Sequence, residues 1–339
     1  MVSPPLHRAE DILATQPEDA RLLLAGDEAS IEATWRSLAL HWCPDRNPDP
    51  RAPEVEAHLA VLFGAALSQA RGAAPAASPA LGTLVMDDAG TAVTVPYATR
   101  APYELGEVFV GRDAVAWTVD EEYRDFYEAA RAALSALRFA DPDMRAQMVP
   151  SLPLGARFMD GRDGLAVVVP KAPDLVRLAE LQARFGGGLD PRHVAWIQSA
   201  QHNLCCYLEW AGLCHPAIGP ETLFVSPRRH AVALLGGWWC AAALGAPLIG
   251  VPARTLSIVS ADLMKDRRGS ASIPLELVRA NGRELLCGAS GPRAMSGWLS
   301  ERTSGSAVED YAQWRRVLEM DFGPRRFVRL DVDFEDVHG

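Results

Sequence analysis

The sequence predicts an α+β chain of two domains: a helical hairpin over residues 14–71, then a larger two-lobed domain over residues 82–335. Three observations carry this. First, Ile31, Trp35, Leu38 and Trp42 recur on one helical face, and a second face of Val55, Leu59, Leu62, Phe63, Ala66, Leu67 and Ala70 follows a turn-rich loop. Second, residues 82–119 form short runs rich in Val, Thr and aromatics, punctuated by Gly90, Gly106 and Gly111. Third, beyond Pro170 the apolar residues return mostly to helical spacing. Strands and one helix, then a helical half, is the pattern of an α+β domain with a small β-rich lobe and a larger helical one.

The elements follow in order. Ser30 is a plausible N-cap for the first helix. That helix must stop near Cys43, because Pro44 disfavours helical geometry in the residue before it. Asp45 to Pro50 read as a polar turn. Residues 72–81 are an Ala/Pro linker with few apolar anchors. Strands are expected at 84–86, 92–96, 107–110 and 114–119. Glu121 to Leu137 places Tyr123, Tyr127, Ala130, Leu134 and Leu137 at helical spacing, and Val167 to Val169 is a buried-strand candidate. A long helix over Pro191 to Trp210 leads to Cys214-His215. Two apolar bursts then flank Ser226-Pro-Arg-Arg-His230, and Pro274 to Leu286 returns to a helix with a polar face.

Composition narrows the chemistry. The chain has 339 residues, and about half are apolar, as in ordinary globular proteins. No apolar run is long enough for a transmembrane helix. The stretch MVSPPLHRAEDILAT lacks the basic and apolar regions of a signal peptide, so a cytoplasmic location and no membrane contact are expected. A net charge of −10 argues against nucleic-acid binding. Only two lysines occur, Lys171 and Lys265; the other cations are Arg. The six cysteines form no CxxC pair and mostly sit in apolar surroundings, where they act as small hydrophobes. His202, Cys206, Cys214 and His215 could be imagined around zinc, but their spacing matches no standard pattern, and no metal is expected.

The stretch WRSLALHWCPDRNPD and the following helix ending in AALSQA resemble a J-domain, the module by which co-chaperones stimulate a heat-shock chaperone ATPase. In that family the loop opens with His-Pro-Asp; here it reads Cys43-Pro44-Asp45. The resemblance implies a degenerate module that attaches or docks.

The larger domain resembles a protein kinase. Cys214-His215-Pro-Ala-Ile-Gly-Pro-Glu-Thr222-Leu-Phe-Val225 fits the catalytic loop, which in kinases reads H-R-D-x-x-x-x-N before an apolar strand. His215 takes the His place, Ala217 the Asp place and Thr222 the Asn place. Residues 230–235 match the strand leading into D-F-G, and the tripeptide there is Gly236-Gly237-Trp238. Ala114-Val-Ala-Trp117 fits the strand that carries the phosphate-binding Lys, with Trp117 in its place. Glu128 could occupy the helix position that pairs with that Lys.

Phosphoryl transfer needs Mg²⁺ on carboxylate and amide oxygens, a group that orients the acceptor, and a cation on the phosphates. Residues 217–250 contain no Asp or Asn, and no Lys precedes Lys171. The glycine-rich loop is also absent. Asp321-Phe322-Gly323 spells D-F-G but lies about a hundred residues too late, and with Pro324 it reads as a helix stop. The resemblance therefore implies a noncatalytic pseudokinase that binds a protein partner as a scaffold, with no catalytic residues and no cofactor. Two alternatives stand beside it. One is a divergent phosphotransferase using ATP and Mg²⁺ through His215, Glu221 and Glu128. The other is a co-chaperone of a heat-shock chaperone.

Overall fold

The computed structural model describes residues 9–24, 31, 34–35, 38–39, 41–42, 47, 49–70, 82–88, 91–161, 164–286, 291–324 and 326–338. The Cys43-Pro44-Asp45 loop, Ser30, Gly90, the 72–81 linker and Cys287 lie outside the described residues, as do the side chains of Leu67 and Ala70. The chain divides into two compact units, Met1–Ala77 and Ser78–Gly339.

In the first unit the Ala52–Ala70 helix turns Val55, Leu59, Leu62 and Ala66 into a core shared with Ile31 and Trp42. Trp35 stacks on Phe63 with ring centroids 4.5 Å apart. Leu38 also packs against this core. The core also reaches back to Ala9, Ile12, Ala20 and Leu23, on two short helices at Ala9–Ala14 and Ala20–Leu23 that the sequence reading did not assign.

The second unit begins with a hairpin of β1 (Gly82–Asp88) and β2 (Thr91–Tyr97). A five-stranded antiparallel sheet follows, made of β3 (Thr99–Tyr103), β4 (Gly106–Val110), β5 (Ala114–Val119), β6 (Arg157–Gly161) and β7 (Gly164–Pro170), in the order β3-β4-β5-β7-β6. Alternation sorts its side chains. Val108, Val110, Val115, Trp117, Val119, Val167 and Val169 enter the main core. Phe109, Ala116, Met159, Ala166 and Val168 pack instead with Met86 and Val95 of the hairpin. The central strands therefore bury both faces, which explains why β7 reads as an unbroken apolar run. The helix Arg124–Ser135 buries Tyr127, Ala130 and Ala133.

After β7 the unit becomes mainly helical. Strand β8 (Val176–Arg177) pairs with β10 (Leu223–Ser226), which pairs with β11 (Ala231–Leu234), while β9 (Leu213–Cys214) leads into the loop that precedes β10. The Pro191–Ala211 helix starts at Asp190, whose carboxylate accepts from the Arg192 N–H at 2.8 Å, and ends at Gly212 with φ +76°. Around it lie helices Ser272–Leu286, Arg293–Ser300 and Ala307–Phe322. The D-F-G triplet closes the last of these. Asp321 accepts from the backbone N–H groups of Ala294 and Met295, and Gly323 turns the chain out at φ +65°.

The polar residues of the Ser272–Leu286 helix divide between solvent and interior: Arg283 and Glu284 are exposed. Arg279 and Asn281 are both buried, Arg279 against Asp310 and Asn281 donating to Gln201 Oε1 at 2.7 Å. Among the described residues no helix is long and apolar enough to cross a membrane.

Candidate functional site

The loop between β9 and β10 is closed by its own hydrogen bonds. The Thr222 hydroxyl donates to the Ala217 carbonyl and accepts from the Gly219 N–H at 3.1 Å. The Thr222 carbonyl in turn accepts from the N–H groups of Leu235 and Gly236, at 3.1 and 3.3 Å. The end of β11 is thereby fixed beside the loop. Gly237 sits at φ +80°, where a Cβ would fall 2.7 Å from Ala217 Cβ, 2.9 Å from His215 Cε1 and 3.2 Å from Thr222 Cγ2. Only glycine fits such a place. The chain thus gathers His215, Ala217, Thr222 and Gly237 around one point.

His215 is fully buried, and its ring stands nearly perpendicular to that of Trp238 with centroids 4.9 Å apart. Its Nδ1 accepts from the Ala217 N–H at 3.4 Å. Burial drives its pKa down to about 3, against a smaller opposing effect of nearby backbone groups. It is a neutral packing group and is not poised to move a proton near neutral pH.

The neighbouring position is filled by carbon. A Cβ on Gly236 would lie 2.6 Å from Trp117 Cζ2 and 3.1 Å from Cε2. Trp117 is 3 % exposed, and its ring meets Trp239 at 6.0 Å and Phe224 at 6.3 Å. Tyr103 closes on Trp239 at 5.1 Å and donates its hydroxyl to the Thr118 carbonyl at 2.9 Å. One apolar cluster runs from the inner sheet face through these rings into the helices. Trp239 lies against Trp117. Trp238 instead donates Nε1–H to the Leu234 carbonyl at 2.9 Å.

The turn between β3 and β4 is a two-residue connection, Glu104-Leu105. Leu105 is buried, and Glu104 accepts from the Ala253 N–H at 3.0 Å, tying the turn to the helical lobe.

The remaining candidates are not brought in. Glu128 is exposed on its helix and lies 3.8 Å from Arg131, while Tyr127 is the inward residue. Glu221 is exposed and pairs with Arg177 at 3.0 Å. The group of His215, Glu221 and Glu128 is therefore not assembled around one point. Nor are the imagined zinc ligands. Among the described residues no three His, Cys, Asp or Glu side chains could hold a metal ion. His202 is caged by Trp298, Tyr311 and Trp314. Burial raises the thiols, Cys206 to about 11 and Cys214 and Cys240 to about 12.

One residue that sequence reasoning left without a role is Lys171, in the link after β7. It is 7 % exposed, and its Nζ donates to the carbonyls of Arg112 at 2.6 Å and Leu175 at 2.8 Å. Burial lowers its pKa to about 7. Its rarity among so many arginines was the only signal available.

The buried histidines set an acid limit on the fold. Burial lowers both His202 and His215 to about 3 from an ordinary 6.5. Between those values the unfolded chain binds protons that the folded chain refuses, so stability falls as pH drops below 6.5. Urea unfolding is expected to show a loss of about 2 kcal/mol per histidine between pH 7 and pH 5. A flat profile over that range would contradict the burial of both rings.

No family model and no curated protein matches the chain. Among solved structures, the crystal structure of a BubR1 kinase domain aligns with a TM-score of 0.46 and 12% identity, covering 70% of this chain and 83% of that one.

Proposed function

We propose that the unit Ser78–Gly339 is a protein-kinase-like module that carries out no phosphoryl transfer and works by binding a protein partner, with the helical unit before it as a degenerate J-like docking module. The reading rests on one observation above all. A Cβ on Gly236 would strike the Trp117 ring at 2.6 Å. The position proposed for the metal-binding carboxylate and that proposed for the phosphate-binding cation are thus a glycine and the indole that fills the space beside it. Mg²⁺ and a triphosphate need oxygen ligands and cations at that place; the residues there offer carbon and a buried neutral imidazole.

Three features support the same reading. The turn proposed to stand where a glycine-rich loop would cover phosphates has two residues and is held to the helical lobe. Thr222, proposed at the Asn place, spends its hydroxyl on the backbone of its own loop. The loop and Trp238 enclose the proposed retained His, His215, as packing.

Thermal unfolding with ATP and Mg²⁺ tests the proposal. A ligand at a hundred times its Kd stabilises the folded state by about 2.7 kcal/mol. No shift of the midpoint is expected at millimolar ATP and Mg²⁺. A clear rise that EDTA abolishes would sink the noncatalytic reading and favour a divergent phosphotransferase.

A further inference from the structure

We infer that segment 326–338 is a built-in strap that holds the two lobes of the larger unit at one fixed closure. The inference is independent of whether the cleft takes a nucleotide. It starts from a stack of three rings on the helical lobe. Phe327 lies on His230 with centroids 4.1 Å apart, and His230 lies on Trp196 at 4.4 Å and 3°. Phe327 is 68 % exposed, so its place on the surface depends on that stack. The segment then runs through the buried Leu330 to Phe334, which is 1 % exposed.

The short helix Phe334–His338 is locally stabilised by a reciprocal cap. Asp333 Oδ1 accepts from the Asp336 N–H, and Asp336 Oδ2 accepts from the Asp333 N–H, both at 3.0 Å. Within five residues it then touches every part that a hinge motion would separate. The Phe334 ring lies 4.7 Å from Lys171 Nζ, in the link between the lobes. Glu335 pairs with Arg112 at 3.1 Å, in the β4–β5 turn of the small lobe. The Asp336 carbonyl accepts from Arg184 Nε at 3.3 Å, in the helical lobe. His338 lies 3.3 Å from Glu180 of the helical lobe, and Glu180 also accepts from the Thr99 hydroxyl of β3 at 2.9 Å. Opening the lobes would expose Phe334 and uncover Lys171 together, so the segment and the link move as one cooperative piece.

Amide hydrogen exchange on the full chain tests this, read over residues 106–119 and 165–177. Phe334→Ala is expected to speed exchange in both segments about tenfold while the Pro191–Ala211 helix keeps its protection. Arg112→Glu and Glu335→Arg are each expected to raise exchange about two- to threefold, the scale of a half-exposed ion pair, and the double reversal to restore it. Unchanged exchange in Phe334→Ala would overturn the strap. So would equal acceleration in the Pro191–Ala211 helix without restoration by the double reversal, which would mark Phe334 as ordinary core.

Discussion

Replacing Trp117 with Ala is expected to lower the stability of the larger unit by about 3–5 kcal/mol, the range for removing a large aromatic side chain from a packed core. The value follows from where the ring sits. It is 3 % exposed, touches Phe224 and Trp239, and fills the volume that the missing side chain of Gly236 leaves open. An aromatic group lining an open, water-filled cleft would cost far less, because water already occupies one side of it. Chemical denaturation of the two proteins separates these cases; a loss under 1 kcal/mol would show that the ring lines a cleft and is not core. Trp117→Lys makes a sharper comparison. It would place an ammonium next to Gly236 with no carboxylate at that position, and an unpaired buried charge is more costly than the cavity alone. Introducing a cation there is therefore expected to weaken the fold.

What could be read from the sequence, and what could not, follows from where each segment lies. The strands predicted at 107–110, 114–119 and 167–169 are the three central ones, whose burial on both faces demands mostly apolar side chains. The two that escaped notice, TRAPY at Thr99–Tyr103 and RFMDG at Arg157–Gly161, are the two edges of the same sheet. Edge strands tolerate Pro, Arg and Asp because one side needs no partner, so their composition loses the strand signature. The outward place of Glu128 has a signal in the sequence. Tyr127, Ala130 and Leu134 define the inward face, and a residue one step past Tyr127 points about 100° away from it. The fit of Trp117 to Gly236 had no such signal. Each residue is ordinary in its own segment, and 119 positions separate them. Their complementarity exists only once β5 and the end of β11 are brought together.

The polar residues in the Ser272–Leu286 helix carry the second large effect. Asp310→Ala is expected to cost about 3–5 kcal/mol, because it would strand a guanidinium in the interior. Arg279 is 1 % exposed and Asp310 0 %, and they pair at 3.0 Å. The guanidinium also lies 3.6 Å from the Trp298 ring centre and donates to the carbonyls of Trp298 and Glu301. Burial already holds its pKa below the ordinary arginine value, yet an arginine does not give up its proton near neutral pH, so the charge would stay. The other Asp310 oxygen accepts from the Ser304 N–H at 2.7 Å, and that donor would lose its partner too. Arg279→Leu with Asp310→Leu removes both charges and keeps apolar volume, so the double variant is expected to be more stable than Asp310→Ala. Urea unfolding of the wild type and both variants decides the matter: a double variant less stable than Asp310→Ala would overturn this expectation, and the difference between the double variant and the wild type gives the net worth of the pair.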